Sequence, residues 1–333
     1  MKRWFVFLIA LSLLLAGCAP KVQKPYNTAF LDLFDTVTTV IGSGESEKQF
    51  RQDAQAVYEQ LLVYHRLFDI YNDYEGLNNL KTVNDRAGVV PVKVDSAIIQ
   101  LLLDCKRYYN LTDGKVNAAM GSVLHLWHEA RNHGIENADE AKLPNEEALA
   151  QAMQHISFDS VVIDEGASTV YISDPEVSLD VGAVAKGWAC QRVAQTAPKG
   201  MLISVGGNVC VTGPKNGDGA PWTVGIQNPD GGEYLHTLEV TSGAVVTSGD
   251  YQRTYTVDGK QYHHIIDPAT GMPSEYWRSV TVICTDSALA DALSTALFLL
   301  PLEEGQKLAG KCNADALWLD AYGKKFMTDG FPA

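Results

Sequence analysis

The sequence predicts an α+β protein with mainly antiparallel sheet. Short runs rich in Val, Ile, Thr and Tyr follow one another from Val161 onward, many joined by turn dipeptides such as Asp258-Gly259. Helical segments do not alternate one for one with these strands, as a doubly wound parallel sheet would require. No short-period repeat is visible.

Residues 1–18 read as an export signal. Lys2 and Arg3 form the basic start, and the apolar run Trp4 to Leu15 is shorter than the ~20 residues of a membrane-spanning helix. Leu15-Ala16-Gly17-Cys18 matches the bacterial lipobox. Cleavage there makes Cys18 the lipidated N-terminus, and several acyl chains on one residue give a stable anchor. The expected location is therefore extracytoplasmic, on the periplasmic side of the inner membrane in a two-membraned cell. Ala19 does not enforce retention there, so the outer membrane stays open. Residues 19–28 read as a tether, and residues 29–333 as the folded domain. About 300 residues suffice for one large core or two fused subdomains. The formal charge of −14 disfavours nucleic acid as a partner.

Leu31 to Ile41 reads as a Thr- and Val-rich strand. Glu47 to Phe68 is an amphipathic helix with Ala54, Val57, Tyr58, Leu61, Leu62 and Leu67 on its apolar side. Asp95 to Leu111 is a second helix, capped by Asp95 or Ser96. Residues 129–150 read as a polar surface excursion, followed by a short helix near Glu146 to Gln154. Strands are expected at Val161–Ile163, Val170–Ile172, Val177–Val181, Met201–Val205, Trp222–Ile226, Thr237–Val246 and Tyr251–Val257. Helices near 184–197 and 287–300 break the run. A short helix (303–310) and the strands Ala316–Leu319 and Lys325–Met327 close it. Beyond Cys18 the cysteines are Cys105, Cys190, Cys210, Cys284 and Cys312. Their number is odd, no pair has metal-ligand spacing, and most contexts are apolar, so buried thiols are the default reading.

Three segments carry chemistry. In the first, the apolar run Val177 to Val181 bears Asp180 and meets the small-residue turn Gly182-Ala183. A helix bearing Lys186 in its first turn follows. Strand, glycine turn and helix start present backbone N–H groups to a phosphate. A cation in that turn opposes the helix dipole unless an anion binds. The alternative is an ordinary strand-to-helix turn with a solvated lysine. In the second, Asp291 and Thr295 lie four apart, beside the apolar stripe of the 287–300 helix. A buried carboxylate without a partner is costly, and a hard cation such as Mg²⁺ resolves the cost. The alternative is one solvated Asp and a Thr bonded to its own helix. In the third, His263-His264 precede the turn residues Asp267-Pro268-Ala269-Thr270-Gly271. Neighbouring residues on a strand face opposite ways, so one histidine at most serves a given site.

Together these segments resemble the ApbE family of FAD:protein FMN transferases, over roughly residues 30–330. Phe34-Asp35-Thr36 stands where the family has Met-Gly-Thr. Phe68-Asp69-Ile70-Tyr71, followed by Leu77-Asn78, is similar to its Phe-Ser-x-Tyr segment. Thr112 to Asn117 is similar to Thr-x-Gly-x-x-Asp, with Asn117 in place of Asp. Asp180 to Gly187 resembles Asp-Leu-Gly-Gly-Ile-Ala-Lys-Gly, and Val205-Gly206-Gly207-Asn208 resembles Leu-Gly-Gly-Asp. Thr247 to Asp250, His264 to Gly271 and Ala290 to Thr295 resemble the remaining blocks. The lipoprotein signal is common in the family.

The resemblance implies a T-fold-like architecture, a duplicated two-layer motif. It also implies a Mg²⁺-dependent reaction in which FAD is cleaved at its pyrophosphate, FMN passes to a Thr or Ser hydroxyl of an acceptor flavoprotein, and AMP leaves. Subunits of redox-driven ion pumps are acceptors of this kind. Mg²⁺ would be held by Asp291, Thr295 and the main-chain oxygen of Ala183. FAD would meet Phe34, Tyr71, Lys115, Val116, Asn117, Asp180, Lys186 and Ile266. Lys186 adds positive potential to the reaction. His264 is the candidate acceptor of the hydroxyl proton, with Asp267 a possible orienting group. Two other readings use the same residues. One is an FAD pyrophosphatase that releases FMN and AMP. The other is a flavin- or solute-binding lipoprotein without turnover.

Overall fold

The computed structural model describes residues 25–43, 46–215 and 219–332. The expected leader, the expected lipidation site Cys18 and the start of the expected tether lie outside these residues. The tether ends sooner than expected, because a strand begins at Tyr26.

The described residues open with a hairpin, β1 (Tyr26–Leu33) and β2 (Thr36–Gly42), rather than the single strand expected over Leu31–Ile41. Leu33 pairs with Thr36 across a two-residue turn. Phe34 and Asp35 there adopt left-handed φ of 53° and 50°, the twist that suits tight hairpins. Helix α1 (Glu47–Phe68) has the predicted limits. Ser46 caps it by accepting from Gln49 N at 3.2 Å, and Phe50, Ala54, Val57, Leu61, Leu67 and Phe68 are buried.

An excursion of residues 69–184 follows: α2 (Leu80–Asp85), β3 (Val92–Lys93), α3 (Ser96–Leu111), α4 (Gly121–Glu136), α5 (Glu146–Ala152), β4 (Val161–Asp164) and β5 (Thr169–Ile172). Asp95, not Ser96, caps α3 by accepting from Ala97 N at 2.8 Å. Two expectations fail here. First, α4 runs through the start of the supposed polar excursion. It buries Val123, Trp127 and Gly134, and its polar outer face hid that stripe. Second, Val177–Val181 forms no strand, only an isolated bridge from Ser178 to Met120. Val177, Leu179 and Val181 are buried, but other groups satisfy the segment's backbone. Asn84 brackets Leu179, its amide donating to Leu179 O and its Oδ1 accepting from Leu179 N. Asp180 N donates to Ala118 O.

Next come α6 (Ala185–Thr196), β6 (Met201–Val205), β7 (Asn208–Val211), the hairpin β8 (Trp222–Ile226) and β9 (His236–Val240), and β10 (Gly243–Gly249). The expected strand Thr237–Val246 is thus divided between β9 and β10. A second excursion spans residues 250–278 and holds β11 (Tyr255–Val257), β12 (Lys260–Tyr262), β13 (Ile266–Asp267) and β14 (Met272–Pro273). The strand expected over Tyr251–Val257 begins only at Tyr255. The chain closes with β15 (Ser279–Cys284), α7 (Ser287–Phe298), α8 (Leu302–Lys311), β16 (Asp315–Leu319) and β17 (Lys325–Met327).

One eight-stranded sheet organises these elements in the order β1-β2-β6-β7-β10-β15-β16-β17, with every neighbouring pair antiparallel. It is two copies of strand–strand–helix–helix–strand–strand: β1, β2, α1, α6, β6, β7 and then β10, β15, α7, α8, β16, β17. This is the duplicated two-layer plan. Helices α1 and α6 cover the first half through Val57, Leu61, Ala189, Val193, Ile203 and Val205. Helices α7 and α8 cover the second through Leu293, Leu297, Val280, Val282 and Trp318. The β8–β9 hairpin closes the other face of the sheet. The first excursion packs over the outer side of α6 and α7 through Ala185, Trp188, Ala288, Ala292 and Ala296. Cys105, Cys190, Cys210 and Cys284 are buried free thiols, and Cys312 is half-buried.

Where α6 and α7 meet, the backbones nearly touch. A Cβ on Gly187 would lie 2.3 Å from Ser287 O and 2.4 Å from Asp291 Cβ. Glycine is what allows the Gly182–Ala183 turn to sit beside Asp291.

Candidate active site

A cavity opens at this meeting point and encloses about 1420 Å³ of empty space, its open mouth included. The scaffold gives it a floor: Gly182, Ala183 and Lys186 at the start of α6, Gly206 and Asn208 of the β6–β7 hairpin, Thr247 to Gly249 of β10, and Asp291 and Thr295 of α7. The excursions give it walls. Tyr71, Lys115, Val116, Asn117, Trp127, His128 and Arg131 come from the first, and Gln252, Arg253, His263, His264 and Ile266 from the second. Of the catalytic, cofactor and metal residues expected from the sequence, all line this cavity except Phe34, and the possible orienting residue Asp267 also lies outside its lining. Phe34 lines an adjoining cavity at the β1–β2 turn, which shares Tyr71, Asp180, Gly182, Lys186 and Arg253 with the first.

Asp291 is 4% exposed. Its Oδ2 accepts from Gly187 N at 2.8 Å. Burial pushes its carboxyl above the usual carboxylate range, against the opposing influence of Lys186, the Gly187 N–H and the Asn208 amide. Thr295 sits one turn on and also lines the cavity. Its neighbour Ser294, not Thr295, bonds back to the helix, donating to Asp291 O at 2.9 Å. Among the described residues no three His, Cys, Asp or Glu side chains converge as a metal cluster. A lone buried carboxylate beside a hydroxyl and a main-chain carbonyl is still a donor set that fits Mg²⁺, which keeps waters and takes phosphate oxygens for its remaining positions.

Lys186 Nζ donates to Gly182 O at 3.1 Å and lowers the pKa of both Asp180 and Asp291. Burial nevertheless raises the Asp180 carboxyl, whose Oδ1 accepts from Gly182 N at 2.8 Å. In a chain of net charge −14, Lys186, Arg131 and Arg253 gather around one opening. That arrangement draws an anion.

Tyr71 is 48% exposed and lies against His128, ring centroids 5.3 Å apart. Asp69 fixes its loop. One oxygen accepts from Tyr71 N (2.7 Å) and Asn72 N (3.1 Å), the other from Asn72 Nδ2 (2.9 Å) and Tyr74 Oη (2.8 Å). Burial opposes the charge on Asp69, but these bonds outweigh it and lower its pKa.

The two histidines differ, although not through strand alternation. Residues 263–265 lie in a loop between β12 and β13, and both side chains line the cavity. His263 has both ring nitrogens engaged: Nδ1 accepts from Ile265 N (3.2 Å) and Nε2 meets Ser274 O (2.7 Å). His264 Nδ1 faces Gln252 O at 3.2 Å. A carbonyl only accepts, so the proton sits on Nδ1 and the Nε2 lone pair is left free. Burial, followed by Arg253 and Lys186, holds the His264 pKa down to about 3, so the imidazole is neutral.

Asp267 does not orient His264. It forms an ion pair with Lys115 (2.9 and 3.0 Å) and accepts from Ala269 N at 2.9 Å. This pair ties the first excursion to the second. Asn117 is also committed locally: Nδ2 donates to Ile156 O (2.8 Å) and Oδ1 accepts from Ala119 N (2.9 Å). An Asp there would lack the first of these bonds. Sequence reasoning missed Trp127, His128, Arg131, Gln252 and Arg253. The spacing of Trp127 and Arg131, i and i+4 on a helix, was a signal for the first wall. Arg253 lies in irregular chain and gave none.

The profile of the ApbE family matches residues 22–318. A Klebsiella pneumoniae protein described as an FAD:protein FMN transferase is 34% identical over 254 residues, covering 72% of this chain and 76% of the relative. A Treponema pallidum protein of the same description is 35% identical over 260 residues, covering 72% and 70%. The crystal structure of the ApbE protein from Thermotoga maritima superposes with a TM-score of 0.82 at 30% identity, over 92% of this chain and 98% of that one. A family profile spanning nearly the whole chain, with relatives alike in sequence and in fold, settles the classification: the chain belongs to the ApbE family.

Proposed function

We propose that the chain is an FAD:protein FMN transferase acting on acceptor flavoproteins. One observation carries the reading. A single cavity joins the buried carboxylate of Asp291, a cluster of cations, a neutral histidine with a free ring nitrogen, and a half-exposed tyrosine face. Phosphoryl transfer is served mainly by positioning and charge neutralisation. Tyr71 and the apolar wall around Val116 and Ile266 offer flat contact to ring systems. Lys186, at the start of α6, binds phosphate oxygens. Asp291, Thr295 and the Ala183 carbonyl would hold Mg²⁺, which when bound neutralises charge on the pyrophosphate.

His264 Nε2 accepts the proton of the acceptor hydroxyl. That oxygen bonds to the phosphorus on the FMN side, and the bond from this phosphorus to the bridging oxygen breaks. AMP departs with the electron pair. A bound pyrophosphate offsets the charges of Arg253 and Lys186 and raises the basicity of His264 toward the working range.

The test is mass spectrometry of a co-expressed flavoprotein acceptor, alongside AMP release from FAD and Mg²⁺. FMN mass on a Thr or Ser supports transfer. Free FMN without modified acceptor makes the protein a pyrophosphatase, and no AMP at all leaves only flavin binding. We also propose that Cys18 is the lipidated N-terminus, on the strength of its lipobox. Cys18→Ser should abolish acylation and block lipoprotein-specific cleavage. Wild-type Cys18 still attached to Gly17 in purified membranes would overturn the assignment.

A further inference from the structure

Asn208 begins β7 directly after the two-residue turn Gly206–Gly207. Both glycines have positive φ, 57° and 91°. A Cβ on Gly206 would lie 2.6 Å from Thr36 Oγ1, so the turn is pressed against the start of β2. This tight turn delivers Asn208 to the cavity floor with 2% exposure. Its Nδ2 is buried there without a hydrogen bond. A buried donor left unsatisfied costs about 1–3 kcal/mol, and a fold retains such a group where something else gives it a partner. The neighbouring charge is Asp291, whose Oδ2 is held by Gly187 N. Asn208 and Asp291 are both buried and both line the floor of the same cavity.

We propose that Asn208 is a positioning residue for the cation site: its carboxamide steers Asp291 toward the cation, and its neutrality adds no further carboxylate beside Asp291, so the cation is held well only together with an anionic phosphate ligand. The inference rests on the proposed function for the identity of that ligand, the FAD pyrophosphate. The physical reason is a shortage of protein ligands. Mg²⁺ wants six oxygens, and no cluster of three His, Cys, Asp or Glu converges among the described residues. A ligand's phosphate oxygens supply both positions and charge. Partners behind a metal ligand typically change metal affinity about 10- to 100-fold when removed.

The experiment titrates Mg²⁺ into the full chain with and without FAD, by calorimetry and thermal melts, for wild type, Asn208→Ala and Asn208→Asp. With FAD present, Asn208→Ala should raise the Mg²⁺ midpoint about 10-fold or more, while FAD binding in EDTA stays near wild type. Without FAD, the near-isosteric Asn208→Asp sets two carboxylates face to face. It should melt lower than wild type in EDTA and gain more from Mg²⁺ than wild type does. A merely structural role would shift the melts but leave the Mg²⁺ midpoint and the Mg²⁺-induced gain unchanged, and that result overturns the proposal. So does an Asp variant that gains no more than wild type. The arms without FAD read Asn208 even if wild type neither binds nor cleaves FAD, an outcome that sinks the flavin reading alone.

Discussion

The two halves of the sheet share one plan and divide the work unequally. In the first half, α1 buries a single stripe and leaves its outer face in solvent. Its counterpart α7 is buried along its length except at Leu289 and Thr295, because the first excursion covers the side facing away from the sheet. A carboxylate on α1 would be hydrated. On α7, Asp291 is buried at the cavity floor, and its charge becomes available for binding. The closing hairpins differ in the same way. The Gly206–Gly207 turn of β6–β7 is pressed onto the cavity floor, whereas the turn between β16 and β17 points into solvent with Tyr322 96% exposed. The repeated motif is a scaffold, and chemistry collects at the seam where both halves and both excursions meet.

Asp291→Ala tests that comparison most severely. Mg²⁺-dependent release of AMP from FAD should be lost. Stability in EDTA should not fall. Burial raises this carboxyl's pKa, so the folded state resists its ionisation, and the resulting cost grows as pH rises through the folded pKa. Removing the group relieves that cost, so melts at pH 8 should match or exceed wild type. Wild-type turnover with an unchanged Mg²⁺ midpoint would remove α7 from the chemistry.

His264→Ala should slow transfer about 10²- to 10⁴-fold while FAD still binds. Its stability signature is separable. Between the ordinary pKa of 6.5 and the folded value of about 3, the unfolded chain takes up a proton that the folded one refuses, so wild type loses stability as pH falls through this window. The variant escapes that loss. Its melting point relative to wild type should rise from pH 8 to pH 5, by an equivalent of at most about 2 kcal/mol. If His263→Ala slows transfer more with folding intact, the assignment by free ring nitrogen is reversed.

Lys186→Ala sharpens the role of the first half. Bonds to charged groups contribute about 1.5–3 kcal/mol, so FAD binding should weaken about 10- to 100-fold. Riboflavin, which has no phosphate, should bind nearly as before, and equal losses for the two would indicate a fold defect. At the far end of the second half, Tyr322→Ala should change stability by less than about 0.5 kcal/mol and leave turnover untouched. A larger effect on either would mean that the outer turn is not idle.

Local order was legible in the sequence wherever one period governed it. The limits of α1 follow from its apolar stripe, and those of α6 from its glycine turn. The placement of Asp291 and Thr295 on one side of a helix follows from a spacing of four. Legibility failed where backbone groups were satisfied by something other than a regular neighbour. Val177–Val181 alternates like a strand, yet Asn84 and Ala118 take up its hydrogen bonds. Leu31–Ile41 has strand composition throughout, and the left-handed Phe34–Asp35 turn divides it.

The sequence by itself determined the elements, their polarity and the isolation of one carboxylate on an apolar helix, because helical and strand periodicities act over a few residues. Only the tertiary structure decided the partners. Lys115 meets Asp267 across 152 residues, Arg131 and Arg253 converge from two excursions, and Gln252 selects the histidine whose Nε2 stays free. Those choices depend on loop directions and on burial shared between distant segments, and no local period encodes either.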